Sequence, residues 1–178
     1  MAAIGLVTDG AYDRLAITAL VRACRPGVGV ESRQCPRDST QKAIRILKEL
    51  ARPGMVSFAV WVRDAETIEP EKVQRLEKSM SDAVRSADGL MLDVRCVMAV
   101  PMLEAWLLAD EDAVQKICGA SRLFQNPERI EDPKSELRRL LNQRPYTRGV
   151  ARHIAEIADV NLVAKRCPSF QKLRDALH

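Results

Sequence analysis

The 178-residue chain is 47% hydrophobic and 29% charged, which allows a packed core and excludes a disordered or low-complexity protein. Only 4% of residues are aromatic, so the core must come from Leu, Val, Ile, Ala and Met, and a surface that stacks many single-stranded bases is disfavoured. The formal charge of +4 is unevenly placed: residues 1–110 balance, whereas residues 111–178 carry 13 Lys/Arg against 9 Asp/Glu.

AIGLVT (3–8) reads as a buried strand, since it is short, apolar and followed at once by Asp9-Gly10. The stretch 11–24 then has Leu15, Ala16, Ala19, Leu20 and Ala23 at helical spacing, and Arg25-Pro26-Gly27 ends it. A second strand is expected at about 28–34. Asp38 or Ser39 can cap the next helix, whose apolar stripe is Ala43, Ile44, Leu47 and Leu50. VSFAVWV (56–62) is the strongest strand signal, a nearly continuous apolar run as expected for a strand covered on both faces. It leads into Arg63-Asp64-Ala65-Glu66. A helix from Pro70 to about Ala87 follows, with Val73, Leu76, Met80 and Val84 as its stripe, and then a strand within 90–100.

Strands that alternate with helices predict an α/β fold with a mostly parallel sheet of about four strands between helices. From Pro101 the pattern changes. MLEAWLLADEDAVQKI (102–117) reads as helix, 119–133 as loop, and 134–178 as further helices divided at Arg144-Pro145 and Cys167-Pro168. No repeat or linker separates these parts. The expectation is one domain over 1–178, with an α/β core at 1–110 and a helical C-terminal extension, 111–178, packed on it.

Five cysteines (Cys24, Cys35, Cys96, Cys118 and Cys167) and two histidines have no zinc-site spacing, and fit reduced, mostly buried thiols in a cytoplasm. MAAIGLVTDG lacks the basic start of a signal peptide, and 89–110 is broken by Asp93, Arg95, Glu104 and Asp110, so no membrane span is expected. His153 reads as a surface or core residue and His178 as a terminal one. No nucleophile elbow, Walker-type loop or Gly-rich phosphate cradle occurs.

The chemistry lies in the acids. Ligands of a parallel sheet collect beyond the carboxyl ends of its strands. Asp9 follows the first strand, and Asp64 and Glu66 follow the third. If 64–66 stays extended, the period of two aims Asp64 and Glu66 the same way, as two oxygen ligands of one hard cation would need. The same acids also suit helix caps, Asp9 for the helix at 11 and Glu66 or Thr67 for the helix at 70. Glu104 stands on a strongly apolar helix. It reads either as a buried site carboxylate with a partner or raised pKa, or as a structural partner of Arg63 or Arg95. Lys134, Arg138, Arg139, Arg144, Arg148 and Arg152, with Glu136 the single acid among them, read either as a phosphate-binding patch or as a solvated helical face.

VTDGAYD (7–13) and VRDAE (62–66) together resemble the acidic motifs of the Toprim fold, the topoisomerase–primase domain also found in OLD-type nucleases. AVPMLEAWLLAD (99–110), DPKSELRRLL (132–141), Tyr146 with a basic residue soon after it, and CPSFQKLRDAL (167–177) are similar to a bacterial Toprim-like family often encoded beside ATPases. The resemblance covers nearly the whole chain and implies a Mg²⁺- or Mn²⁺-dependent nuclease or related DNA-processing phosphoryl-transfer module, in bacterial defence and beside an ATPase partner. It puts Asp9 in the place of the general acid or base that also helps to hold metal. Asp64 and Glu66 take the places of the metal-binding aspartates. Asp9 is a methylene shorter than the usual Glu, and Glu66 a methylene longer than the usual Asp. Glu104 belongs to the family phrase and is carried as a catalytic candidate. Lys134, Arg138, Arg139, Arg148 and Arg152 would contact nucleic-acid phosphates. The alternatives are a catalytically inactive binding or regulatory subunit and a small-molecule phosphate enzyme that uses the same rim.

Overall fold

The computed structural model describes residues 3–36 and 39–178. Four strands, β1 (Ala3–Thr8), β2 (Val30–Gln34), β3 (Val56–Asp64) and β4 (Val94–Ala99), form one sheet in the order β2-β1-β3-β4, with every pair parallel. α1 (Ala11–Cys24) joins β1 to β2, α2 (Thr40–Leu50) joins β2 to β3, and α3 (Pro70–Arg85) joins β3 to β4. The α/β expectation therefore holds, with β1 and α1 at the bounds read from the sequence. Asp38, one of the two expected caps of α2, lies outside the described residues. Ser39 fills that role, accepting from Lys42 N at 3.3 Å.

Alternation along the strands divides the core by sheet face. Ile4, Leu6, Val60, Val62, Val97 and Ala99 pack under α1, together with Trp106, Ile154 and Phe170 of the C-terminal helices. Val7, Ala59, Trp61 and Met98 pack on the other face, under Ala43, Leu47 and Leu50 of α2 and Met80 of α3. Both faces are buried, which is why β3 reads as a continuous apolar run. Gly5 lets the layers close: a Cβ there would stand 3.0 Å from the Ala59 Cβ and 3.3 Å from Leu50 Cδ1.

Beyond β4 come α4 (Leu103–Leu107), α5 (Glu111–Cys118), a 3₁₀ turn (Pro127–Arg129), α6 (Pro133–Leu140), α7 (Arg148–Ile157), α8 (Val160–Arg166) and α9 (Pro168–Asp175). The helix expected over 102–117 is thus two helices, and a further break at Ala158 separates α7 from α8. Asp110 is the reason for the first break. Its Oδ1 accepts from Asp112 N and Ala113 N at 3.1 Å, capping α5, and its Oδ2 accepts from Asp159 N at 2.8 Å, at the start of α8. A side chain that caps one helix cannot leave its own backbone inside the preceding one. Ser169 fixes α4 in turn. Its hydroxyl accepts from Trp106 Nε1 at 2.8 Å and Val100 N at 3.3 Å, and donates to Glu128 Oε1 at 2.5 Å. The five cysteines are all free thiols, and burial pushes Cys24 and Cys96 up to about 11.

Asp110 is 5% exposed and serves three amides. Asp110→Ala should cost about 2–4 kcal/mol, the sum of a missing cap and an orphaned Asp159 amide. Thermal denaturation should then show a Tm drop of roughly 5–15 °C, and a Tm that stays at the wild-type value would contradict the double-capping role.

Candidate functional site at the carboxyl ends of β1, β3 and β4

The chain turns to opposite sides after β1 and β3. α1 lies on one face, α3 lies on the other, and β2 and β4 are added on opposite sides of the β1–β3 pair. Such a switch point opens a crevice beyond the carboxyl ends of the two central strands, the usual place for a ligand in an open parallel sheet.

The acids expected at this rim part company there. Asp9, 7% exposed, accepts from Arg63 Nε at 2.9 Å, and its charge is felt by Cys35, so it faces the α2 side. It does not cap α1, whose N-cap is Gly10 without a side-chain bond. Asp64 has the register of Val60 and Val62 and faces the other way. Its Oδ1 accepts the backbone amide of Leu103 at 2.9 Å, at the first turn of α4. Backbone pairing continues past β3, from Ala65 N to Ala99 O and from Glu66 N to Pro101 O. Glu66 then has φ +54°, outside the extended region. The period of two is broken, and exposed Glu66 borders a hollow with Thr67, Glu69, Lys72 and Arg75 on the α3 side. Among the described residues, no three His, Cys, Asp or Glu side chains group closely enough to hold one metal ion. Strand parity thus sets Asp9 and Asp64 toward opposite faces of the sheet, and Glu66 leaves the extended run at a left-handed residue.

A different set gathers beside Asp64. Glu104, in the first turn of α4, is 3% exposed, and its cation is neither Arg63 nor Arg95. Arg63 is bonded to Asp9, and Arg95 to Asp93 and the Ala176 carbonyl. The cation is Lys134 of α6, with Nζ 3.8 Å from Oε1. Lys134 is also 5.4 Å from the Tyr12 ring centroid and 5.9 Å from that of Tyr146, and the two rings stack at 5.9 Å. The Tyr146 hydroxyl is buried and makes no hydrogen bond of ordinary geometry among the described residues. Burial first, then the charge and closeness of the Glu104 carboxylate, then the charges of Asp13 and Asp64, push its ionisation far above the usual phenol range. Tyr146 therefore stays protonated as a potential hydrogen-bond donor. Asp13 comes from the first turn of α1 and folds back over Gly10, where a Cβ would meet its Oδ2 at 2.8 Å. Gly10 thus serves space rather than conformational freedom.

Asp13, Tyr12 and Tyr146 were not singled out as chemical residues by sequence reasoning. Their signal was membership in the quoted motifs, Tyr12 and Asp13 in VTDGAYD and Tyr146 in the family-like tail. The expected phosphate contacts also divide. Lys134 stands at the site. Arg138 and Arg148 are exposed, Arg139 is paired with Glu136, and Arg152 donates to Glu156 Oε1 at 2.6 Å. Arg144, from the same basic stretch, is committed to the end of α5, donating to the carbonyls of Ile117 and Cys118.

Removing Lys134 leaves Glu104 with an uncompensated buried charge. Lys134→Met should destabilise the protein by about 1–3 kcal/mol, discounted from a fully buried pair because Lys134 is 36% exposed. Lys134→Met with Glu104→Gln should recover most of that stability in a urea double-mutant cycle; additive effects would show that the two do not interact.

No curated protein matches the chain in sequence. Among solved structures, the C-terminal region of the OLD protein of Xanthomonas campestris pv. campestris is similar at 16% identity, with a TM-score of 0.44, over 99% of this chain and 97% of that one. Residues 12–178 match the family model described as a domain of unknown function, DUF4276, and the chain belongs to that family.

Proposed function

We propose that the chain is a divalent-cation-dependent, Toprim-like nuclease module whose working side is the Asp64–Glu104 side of the rim. The observation that carries this reading is Glu104. A carboxylate 3% exposed, beside Asp64 and the fields of Asp13 and a buried phenol, is a costly arrangement for a purely structural end. A phenol pushed far above its usual range at a sheet switch point favours a functional site.

The donor set suits Mg²⁺ or Mn²⁺ better than a three-ligand metal. Mg²⁺ typically takes one or two carboxylates and completes its shell with waters and substrate phosphates, so Asp64 and Glu104 suffice as its protein ligands. When bound, the ion supplies Lewis-acid polarisation of a phosphoryl oxygen and an activated water. The residues do the rest. Asp64, anchored by the Leu103 amide, keeps a fixed orientation. Tyr146 would donate a hydrogen bond to a phosphate oxygen. Lys134, over two aromatic rings and beside Glu104, would supply a positive charge to a phosphate bound there. Asp9 orients Arg63 toward the crevice from the far side.

One observation favours the non-catalytic alternative: Lys134 occupies the neighbourhood of Glu104 and neutralises it, as in a structural pair. Plasmid nicking separates the two. Nicking in Mg²⁺ or Mn²⁺, absent in EDTA and reduced at least ~100-fold in Asp64→Asn and Glu104→Gln, is the expected result. No nicking, together with no heat of binding for either cation at millimolar concentration, would leave the binding-subunit reading standing.

A further inference from the structure

We infer that the groove between α1 and α7 carries a nucleic-acid backbone away from the rim, held through its phosphates by Arg14, Arg22 and Arg152. The identity of the ligand rests on the nuclease reading above; its retention does not require cleavage. Both helices start at the rim. α1 opens with Tyr12 and Asp13, and α7 opens at Arg148, two residues after Tyr146. They pack along each other, with Ala16 and Leu20 of α1 and Ala151 and Ile154 of α7 in one core. The hollow beside them, about 490 Å³, is lined by Arg14, Thr18, Arg22, Ser32, Arg152 and Glu156 among others.

Its charge is three arginines against one acid, and that acid is already engaged by Arg152. Such a surface repels cations and gives an apolar peptide little to bury, so its complement is an anion. Arg14 adds a specific sign. Its Nε is buried and has no acceptor among the described residues. A buried donor left unmade costs free energy that an arriving acceptor returns, and arginine is the residue best shaped to give phosphate two parallel bonds.

Spacing favours a polymer over a lone phosphate. Arg14, Thr18 and Arg22 fall at i, i+4 and i+8, on one face of α1. At about 1.5 Å per residue the two arginines are about 12 Å apart along the helix axis. Two guanidinium groups that far apart do not converge on one phosphate, so the pair suits separate phosphates of one strand. The groove therefore follows the strand for several nucleotides beyond the reacting one, whereas Arg138 and Arg139 on α6 do not line it.

Fluorescence anisotropy of a labelled single-stranded oligonucleotide of about 20 nucleotides and of its duplex, in EDTA, tests this without cleavage. Arg14→Gln/Arg22→Gln should weaken binding at least ~10-fold and lower the slope of log affinity against log salt by about 2, near 1 for each phosphate no longer neutralised. Arg22→Glu, a change at an exposed position, should weaken binding while the buried Arg14 Nε stays in place. Arg85→Gln, on α3 at the opposite face, should change neither affinity nor slope. Wild-type affinity and slope in the groove variants would overturn the proposal. So would an equal weakening in Arg85→Gln, or no binding of either oligonucleotide at low salt. Competition by inorganic phosphate or a mononucleotide as strong as by unlabelled strand would overturn it too. Groove-dependent binding without any metal-dependent nicking would sink the nuclease reading alone.

Discussion

A carboxylate that is almost out of water governs the arrangement of the rim. Isolated ionised carboxylates in apolar surroundings cost several kcal/mol or more, and proteins keep them only with partners. Around Glu104 the neighbouring groups come from separate stretches of chain, and one of them compensates its charge. β3 contributes Asp64, which holds the first turn of α4 in place. α6 contributes Lys134, whose ammonium is the neutralising charge. The segment before α7 brings Tyr146, and α1 brings Tyr12, which stacks on it. Ser169 of α9 anchors the far end of α4 through Trp106. The C-terminal helices are thus more than a cover for the sheet, since they complete the surroundings of a single charge.

Sheet topology sets the second constraint. In the order β2-β1-β3-β4, consecutive residues at the strand ends point to opposite faces, and the helices after β1 and β3 take opposite sides. Arg63 and Asp64 are neighbours in sequence yet serve different partners, Asp9 on one face and Leu103 on the other. The Asp9–Arg63 pair lies on the α2 side, and Asp64 lies on the side of α1 and α4.

How much of this could be read beforehand follows the range of the interactions. The parallel α/β layer was legible because both-face burial writes continuous apolar runs such as 56–62, and because Pro26-Gly27 and Pro53-Gly54 punctuate the helices. The place of the rim was legible for the same reason. Its membership was less so. Alternation assigned Asp64 and Glu66 to one side only on the condition that the chain stays extended, and the φ of Glu66 breaks that condition. Lys134, the partner of Glu104, stands on another helix, beyond any local periodicity. The break at Asp110 was hidden because helix propensity continues through it, and one of the bonds that hold Asp110 comes from the distant Asp159 amide.

The segment AVPMLEAWLLAD carries a lesson about what a signature encodes. From Leu103 to Asp110 every residue is buried, although only Glu104 and Asp110 bear charge. Its aliphatic and aromatic positions fill a dense interior in which even one methylene is felt. The stretch is therefore intolerant of substitution chiefly for reasons of volume, with one buried carboxylate paired to Lys134 and one capping α5. A random mutational library should find its harshest depletion of folded protein along this stretch, while the arginine-lined surface of α1 drifts freely in sequence so long as its charge persists.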